Sequence, residues 1–119
     1  MSRICPEGFS DDFIYDLNME DAYGVIYTQH LFSGRYKCII LWYLKSKKRR
    51  YTEIKKFLDN ISQGSLTKQL RELEEDGLVN RTVFPEVPSR VEYSLSEKGI
   101  AFLPIIELME KIGEENKPN

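Results

Sequence analysis

Cysteine and histidine are nearly missing from this chain of 119 residues: Cys5, Cys38 and His30 are all it has of the two. With no CxxC pair and no second histidine, neither a structural zinc site nor a disulfide scaffold is expected. No apolar run approaches the roughly 18 residues that span a bilayer. The opening MSRICPEGFSDDF has neither the cationic nor the apolar region of a secretory signal. These absences predict a cytoplasmic protein with no membrane partner, no metal and no cofactor. A glycine-rich phosphate loop is absent too, as is a nucleophile with a plausible base, so no catalytic residue can be named and an enzyme is not expected.

What is present is an uneven distribution of charge. The net charge is only −2, which by itself argues against a polyanionic partner. Residues 34–71, however, hold eleven cations against Glu53 and Asp59, a local net of +9, and leave the remainder at −11. Such segregation allows one electropositive face, the feature that nucleic acid requires, beside an acidic remainder that limits unspecific adhesion. The plainer reading is a solvated basic loop at residues 45–50.

Periodicity places the elements. Residues 1–19 carry Pro6, Gly8 and several acids with weak periodicity and read as an N-terminal arm. One domain, residues 20–115, follows, and residues 116–119 form a tail. Within it, apolar spacing predicts a first helix over 20–33 and a second over RYKCIILWYLKS, the spine of the core. After the basic loop, Thr52 is the expected N-cap of a third helix, with Glu53 in its first turn. A tight turn over 59–61 leads to Ser62, the cap of a fourth helix that Gly77 ends. Two short helices joined in this way make a helix-turn-helix. The period then falls to two across LVNRTVF and RVEYSLS, with Pro85 to Ser89 between them, which predicts a hairpin with a protruding loop. Ser96 caps a last helix reaching residue 115. The fold class is therefore mainly α with a small antiparallel β hairpin.

The fourth helix, ISQGSLTKQLRELEEDGLV, is the informative one. At 100° per residue Leu66, Leu70 and Leu73 fall on one side, and Gly64, Lys68, Arg71 and Glu75 fall opposite, flanked by Gln63 and Thr67. Hydroxyls, amides and cations come first; Glu72, Glu74, Glu75 and Asp76 come last. Helix stability alone would favour the reverse order. An anionic groove accounts for it, because the first half can enter and the second half must leave.

At this point the chain resembles the HxlR family of prokaryotic winged helix-turn-helix regulators, relatives of the MarR group. The resemblance spans residues 34 to about 112 and rests on ISQGSLTKQLRELEEDGLVNRTVFPEVPSRVEYSLSEKG, with GRYK and FLPIIELM as further matches. It implies sequence-specific binding of double-stranded DNA by a homodimeric transcriptional regulator, more often a repressor, paired through its first and last helices. The recognition helix 62–76 would lie in the major groove and the wing 85–90 near the minor groove. Carried over by position, Ser62, Gln63, Ser65, Thr67, Lys68 and Arg71 are groove candidates. Arg50 and Thr52 are candidate phosphate anchors, and Arg90 is a minor-groove or phosphate candidate. For Arg90, pairing with a nearby acid is the alternative.

Val25, Ile26, Phe102, Ile105, Ile106, Met109 and Ile112 are the expected dimer residues. The last helix is apolar on more than one side, which a partner subunit explains better than the protomer's own core, although Phe102 and Leu103 could serve that core. Many family members carry a Cys-Pro pair close before the segment matched by GRYK. Here Cys5-Pro6 stands 29 residues before Gly34, so Cys5 is a candidate redox sensor or an unrelated thiol, and a small-molecule signal is the other option. Cys38 reads as a core residue. The competing function is a winged-helix protein-interaction module without DNA binding; it would call for large exposed apolar residues on the early turns of the fourth helix, and none stands there.

Overall fold

A computed structural model describes residues 16–119 of the protein; Cys5 and most of the arm lie outside the described residues. The chain divides into two compact units, residues 1–32 and 33–119. In the first, Asn18 Oδ1 accepts the backbone N–H groups of Glu20 and Asp21 at 2.9 and 3.2 Å, and Asp21 Oδ2 accepts that of Asn18 at 3.1 Å. Side chains that bond their own backbone in this way hold a turn against helix formation. Helix α1 therefore spans Tyr23–Leu31, shorter at both ends than the expected 20–33.

The second unit contains α2 (Lys37–Leu44), β1 (Arg49–Arg50), α3 (Tyr51–Leu58), α4 (Gln63–Glu75), β2 (Val79–Phe84), β3 (Arg90–Leu95) and α5 (Glu97–Asn116). The strands form an antiparallel sheet in the order β1-β3-β2. Its core joins Ile40, Leu41 and Leu44 of α2 to Ile54 of α3, Leu66, Leu70 and Leu73 of α4, Val79 and Tyr93 of the hairpin and Ile106 of α5. Ile61 and Leu78, just outside α4 at either end, are buried with them.

Two expectations fail at the basic segment. Arg49 and Arg50 are a strand, pairing with Tyr93 and Glu92 of β3, where the lysine-rich composition reads as a loop. The N-cap of α3 is Arg50, not Thr52: Arg50 stays extended as part of β1, and its N–H donates to Glu53 Oε1 at 2.8 Å. Pairing with β3 fixes where the extended chain ends, and this outweighs the capping preference of a hydroxyl two residues later. The hairpin also departs from simple alternation. It pairs from Val79↔Leu95 to Phe84↔Arg90, but only Val79 and Tyr93, near its base, are buried. Beyond them β2 leaves the core, so Val83 is exposed.

The two ends of α4 are as expected. Ser62 Oγ accepts the Ser65 N–H at 3.1 Å. At the other end Gly77 takes a left-handed φ of 79°, with Gly77 N–H donating to Glu74 O and Leu78 N–H to Leu73 O, the paired bonds of a Schellman stop. The start of α5 is tied to the same place: Lys98 Nζ donates to Asp76 O at 2.8 Å and Ser96 Oγ donates to Gly77 O. Ser96 Oγ in turn accepts the Gly99 N–H. Pro104 lies inside α5 without ending it, leaving the Ile100 carbonyl without its intrahelical donor.

Glycine at position 99 is required by this junction, since a Cβ there would strike the Leu78 carbonyl oxygen and press on Leu95 Cδ2. Gly99→Ala should cost about 3 kcal/mol of stability, read from the urea unfolding midpoint. Gly64→Ala, with nothing within 4 Å of the added carbon, should leave the midpoint unchanged or raised. Equal effects of the two would refute the close approach of α5 to the end of α4.

Candidate nucleic-acid interface

With Leu66, Leu70 and Leu73 each at 0% exposure, the opposite side of α4 is turned to solvent. Ser62, Gln63, Gly64, Thr67, Lys68 and Arg71 are all exposed there. Ser65 is not on that face. It is half-buried, and its Oγ accepts from Gln69 Nε2 at 3.0 Å. Its hydroxyl is engaged by Gln69 on the flank of the helix, apart from the exposed candidates.

The early turns of α4 are held by a residue that sequence reasoning missed. Tyr51 OH lies 3.1 Å from Thr67 Oγ1 and 3.4 Å from Gln63 O, so the first residue of α3 is bonded to the first two turns of α4. A tyrosine at the head of the first helix of a helix-turn-helix was the available signal. Tyr51, Thr67 and Arg71 line an open cleft of about 420 Å³ together with Arg81 and Tyr93 of the hairpin. Burial pushes the Tyr93 phenol up, with Arg81 acting against it.

The acids of the last turns are accommodated locally. A run of carboxylates at the negative end of a helix dipole is unfavourable, and here Lys98, brought in from α5, donates to the Asp76 carbonyl. Glu72 is engaged by Lys37, whose Nζ lies 2.9 Å from Oε1. That hydrogen bond is the chief reason the Glu72 carboxyl is held below its ordinary range. Among the described residues, Lys37 and Gln69 are the buried polar ones, and neither was expected to be inside.

Three candidates meet at a second cleft. Arg50, Thr52 and Arg90 line an opening of about 450 Å³ between the head of α3 and the wing, with Glu86 and Ser89 on the wing side. Arg90 is not free there. Its Nη2 is 3.3 Å from Glu86 Oε1, and its Nε is 3.2 Å from Glu92 Oε2, close enough for an ion pair yet not aligned as a hydrogen bond. Its guanidinium also lies 4.1 Å from the Phe84 ring centroid. Pairing with acids, the alternative raised for Arg90, is therefore present in the protein alone.

The electropositive segment is smaller as a surface than as a sequence. Arg49 lies 3.9 Å from the Tyr43 ring centroid and donates to Tyr43 O and Ser46 Oγ. Lys45 pairs with Glu110 at 3.3 Å. Lys47 and Lys48 remain exposed beside Arg50, Lys48 lying 3.5 Å from Glu92.

Of the expected dimer residues, Val25 and Ile26 on α1 and Ile105, Met109 and Ile112 on α5 are exposed, as are Ile100 and Leu108, which were not named. Phe102 is half-buried. Ile106 is corrected: at 3% exposure it belongs to the protomer's own core, because α5 packs on α2 through it. Beside it, Cys38, Ile39, Trp42 and Met109 line an apolar groove of about 330 Å³. Burial pushes the half-buried Cys38 thiol up, which makes it less nucleophilic at neutral pH.

Comparison with known proteins agrees with this geometry. The model of the HxlR-like helix-turn-helix family matches residues 31–119. The uncharacterized HTH-type transcriptional regulator YtcD of Bacillus subtilis is 45% identical over 95 residues, covering 80% of this chain and 71% of that protein. YdeP of the same organism, also an uncharacterized HTH-type transcriptional regulator, is 41% identical over 104 residues, or 86% of this chain and 81% of that one. Among solved structures, the redox regulator HypR in its oxidized form superposes with a TM-score of 0.76 at 40% identity, covering 81% of this chain and 99% of that one. The chain belongs to the HxlR-like helix-turn-helix family of DNA-binding transcriptional regulators.

Proposed function

We propose that the protein reads a two-fold symmetric duplex site as a homodimer, with the first half of α4 in the major groove and the wing directed at the neighbouring minor groove. The observation that carries this reading is the outward face of α4, where Gln63, Gly64, Thr67, Lys68 and Arg71 stand exposed on a helix whose inner side is wholly buried. Arginine can pair two donors with guanine, and the amide and hydroxyls supply other base and phosphate contacts. Gly64 lets the helix backbone come close, and its first-turn N–H groups favour phosphate.

Arg50, Thr52 and Arg90 serve the flanking backbone at the wing cleft. For Arg90 this requires an exchange of carboxylates for phosphate. Glu86, on the loop, is the partner that gives way. The apolar side chains left exposed on α1 and on α5 form the subunit contact, and two recognition helices so related read half-sites about 34 Å apart. The protein works in the cytoplasm, and repression is the direction the family resemblance favours. The signal is redox or a small molecule. HypR is named a redox regulator, and in this chain Cys5 is the thiol that such a signal would use, since burial pushes the Cys38 thiol up and makes it the poorer nucleophile.

Selection of duplexes from a random pool, with the solution mass measured alongside, should yield a symmetric site and a dimer. A folded dimer that enriches no sequence would favour the protein-interaction reading. On the selected site Arg71→Ala should relax preference at one position at a cost of about 1–3 kcal/mol. Lys48→Ala should weaken all duplexes alike and lower the salt slope by about 1. Glu86→Gln should strengthen binding severalfold in a titration at fixed salt, and weakened binding would show that the Arg90 pair is not released. Met109→Glu combined with Ile112→Glu should halve the mass in sedimentation; an unchanged mass would remove α5 from the contact.

A further inference from the structure

The polar residues on the flank of α4 that faces α2 have no part in the contacts proposed above. Ser65, Gln69 and Glu72, at spacings of four and three, occupy the flank between the inward leucines and outward Lys68. All three point to the start of α2 or to each other. Gln69, 7% exposed, accepts the Tyr36 N–H on Oε1 at 2.9 Å and donates from Nε2 to Ser65 Oγ at 3.0 Å. Glu72 takes the Lys37 ammonium at 2.9 Å. Lys37 is itself 3% exposed. The GRYK segment is shaped to this flank, since a Cβ on Gly34 would lie 3.0 Å from Gln69 Oε1 and 3.1 Å from Lys37 Cε.

We infer that Lys37, Gln69 and Glu72 form a positioning clamp that sets the roll of α4 about its axis, and through it the base discrimination of the protein. The proposal rests on the reading of α4 as the recognition helix. Leucines alone leave that roll loosely fixed, because apolar contacts are not directional. Hydrogen bonds are directional, and a 20° roll would carry the helix surface through about 2 Å, enough to break a bond between Arg71 and a base. An ion pair with one partner buried and the other 35% exposed contributes little net stability, since solvent screens its open side and apolar residues often replace such pairs without loss. The clamp therefore acts on where Lys68 and Arg71 point, and hardly on whether the domain folds.

The test uses the full chain with both partners replaced, Lys37→Met with Glu72→Met, together with the milder Glu72→Gln. Three quantities are measured: the unfolding midpoint, affinity for a nonspecific duplex, and preference for the selected duplex over one altered at the position read by Arg71. The clamp predicts for the double variant a midpoint equal to or above that of the parent, nonspecific affinity within about twofold, and preference reduced tenfold or more. Glu72→Gln, which keeps an acceptor for Lys37, should lose part of that preference, and it decides the matter if the double variant fails to fold. Preference unchanged in a folded variant overturns the clamp. A parent protein with no preference at all overturns the DNA reading and the clamp with it, a result visible without any variant.

Discussion

The inward side of α4 is the constraint on which the rest depends. Leu66, Leu70 and Leu73 are wholly removed from water, each contributing about 2 kcal/mol of burial. A helix committed in this way must turn its opposite side to solvent, and the polar contacts of its flank set the finer roll. That Gly64, Lys68 and Arg71 lie on the outward side follows from the leucines by helical geometry. Tyr51 at the head of α3 and Ser62 then fix the entry of α4, while Gly77, Ser96 and Lys98 fix its exit.

The exit explains an arrangement of charge that is unfavourable in an isolated helix. Four acids crowd the end of α4, where the dipole favours cations. The fold supplies those cations from elsewhere, Lys98 from α5 at the Asp76 carbonyl and Lys37 from α2 at Glu72. With these in place, the acidic end costs little in the folded protein and still repels a polyanion. On the reading proposed above, the helix carries opposite affinities for DNA along its length, and the acids after Arg71 mark where a duplex leaves it.

Most of this was legible where one local rule decides. Ser62 as a cap, Gly77 as a stop, the hairpin around Pro85 to Ser89 and the buried leucine triad came from spacing and capping chemistry, and the structure agrees with each. The sequence failed where tertiary pairing overrides a local preference. Arg49 and Arg50 form a strand only because β3 offers them a partner, and that displaces the cap of α3 from Thr52 to Arg50. Lys37, Gln69 and Ser65 carry polar side chains that composition assigns to the surface, and they are drawn inward because Lys37 meets Glu72 from the facing helix while Gln69 accepts the Tyr36 N–H and donates to Ser65 Oγ. Ile106 was misplaced for the opposite reason. On a helix apolar on several sides, periodicity cannot say which side meets the protomer's own core.

On the proposed reading, the outward side of α4 from Gln63 to Arg71 meets base edges in the major groove. Interference by methylation of guanine N7 in the selected duplex tests it most directly, because N7 is reached only from that groove. The account predicts that a modified guanine in each half-site abolishes binding, and that this sensitivity disappears for Arg71→Ala while phosphate ethylation interferes with both proteins alike. Binding indifferent to N7 methylation throughout the site, with the parent protein still selecting sequence, would contradict it.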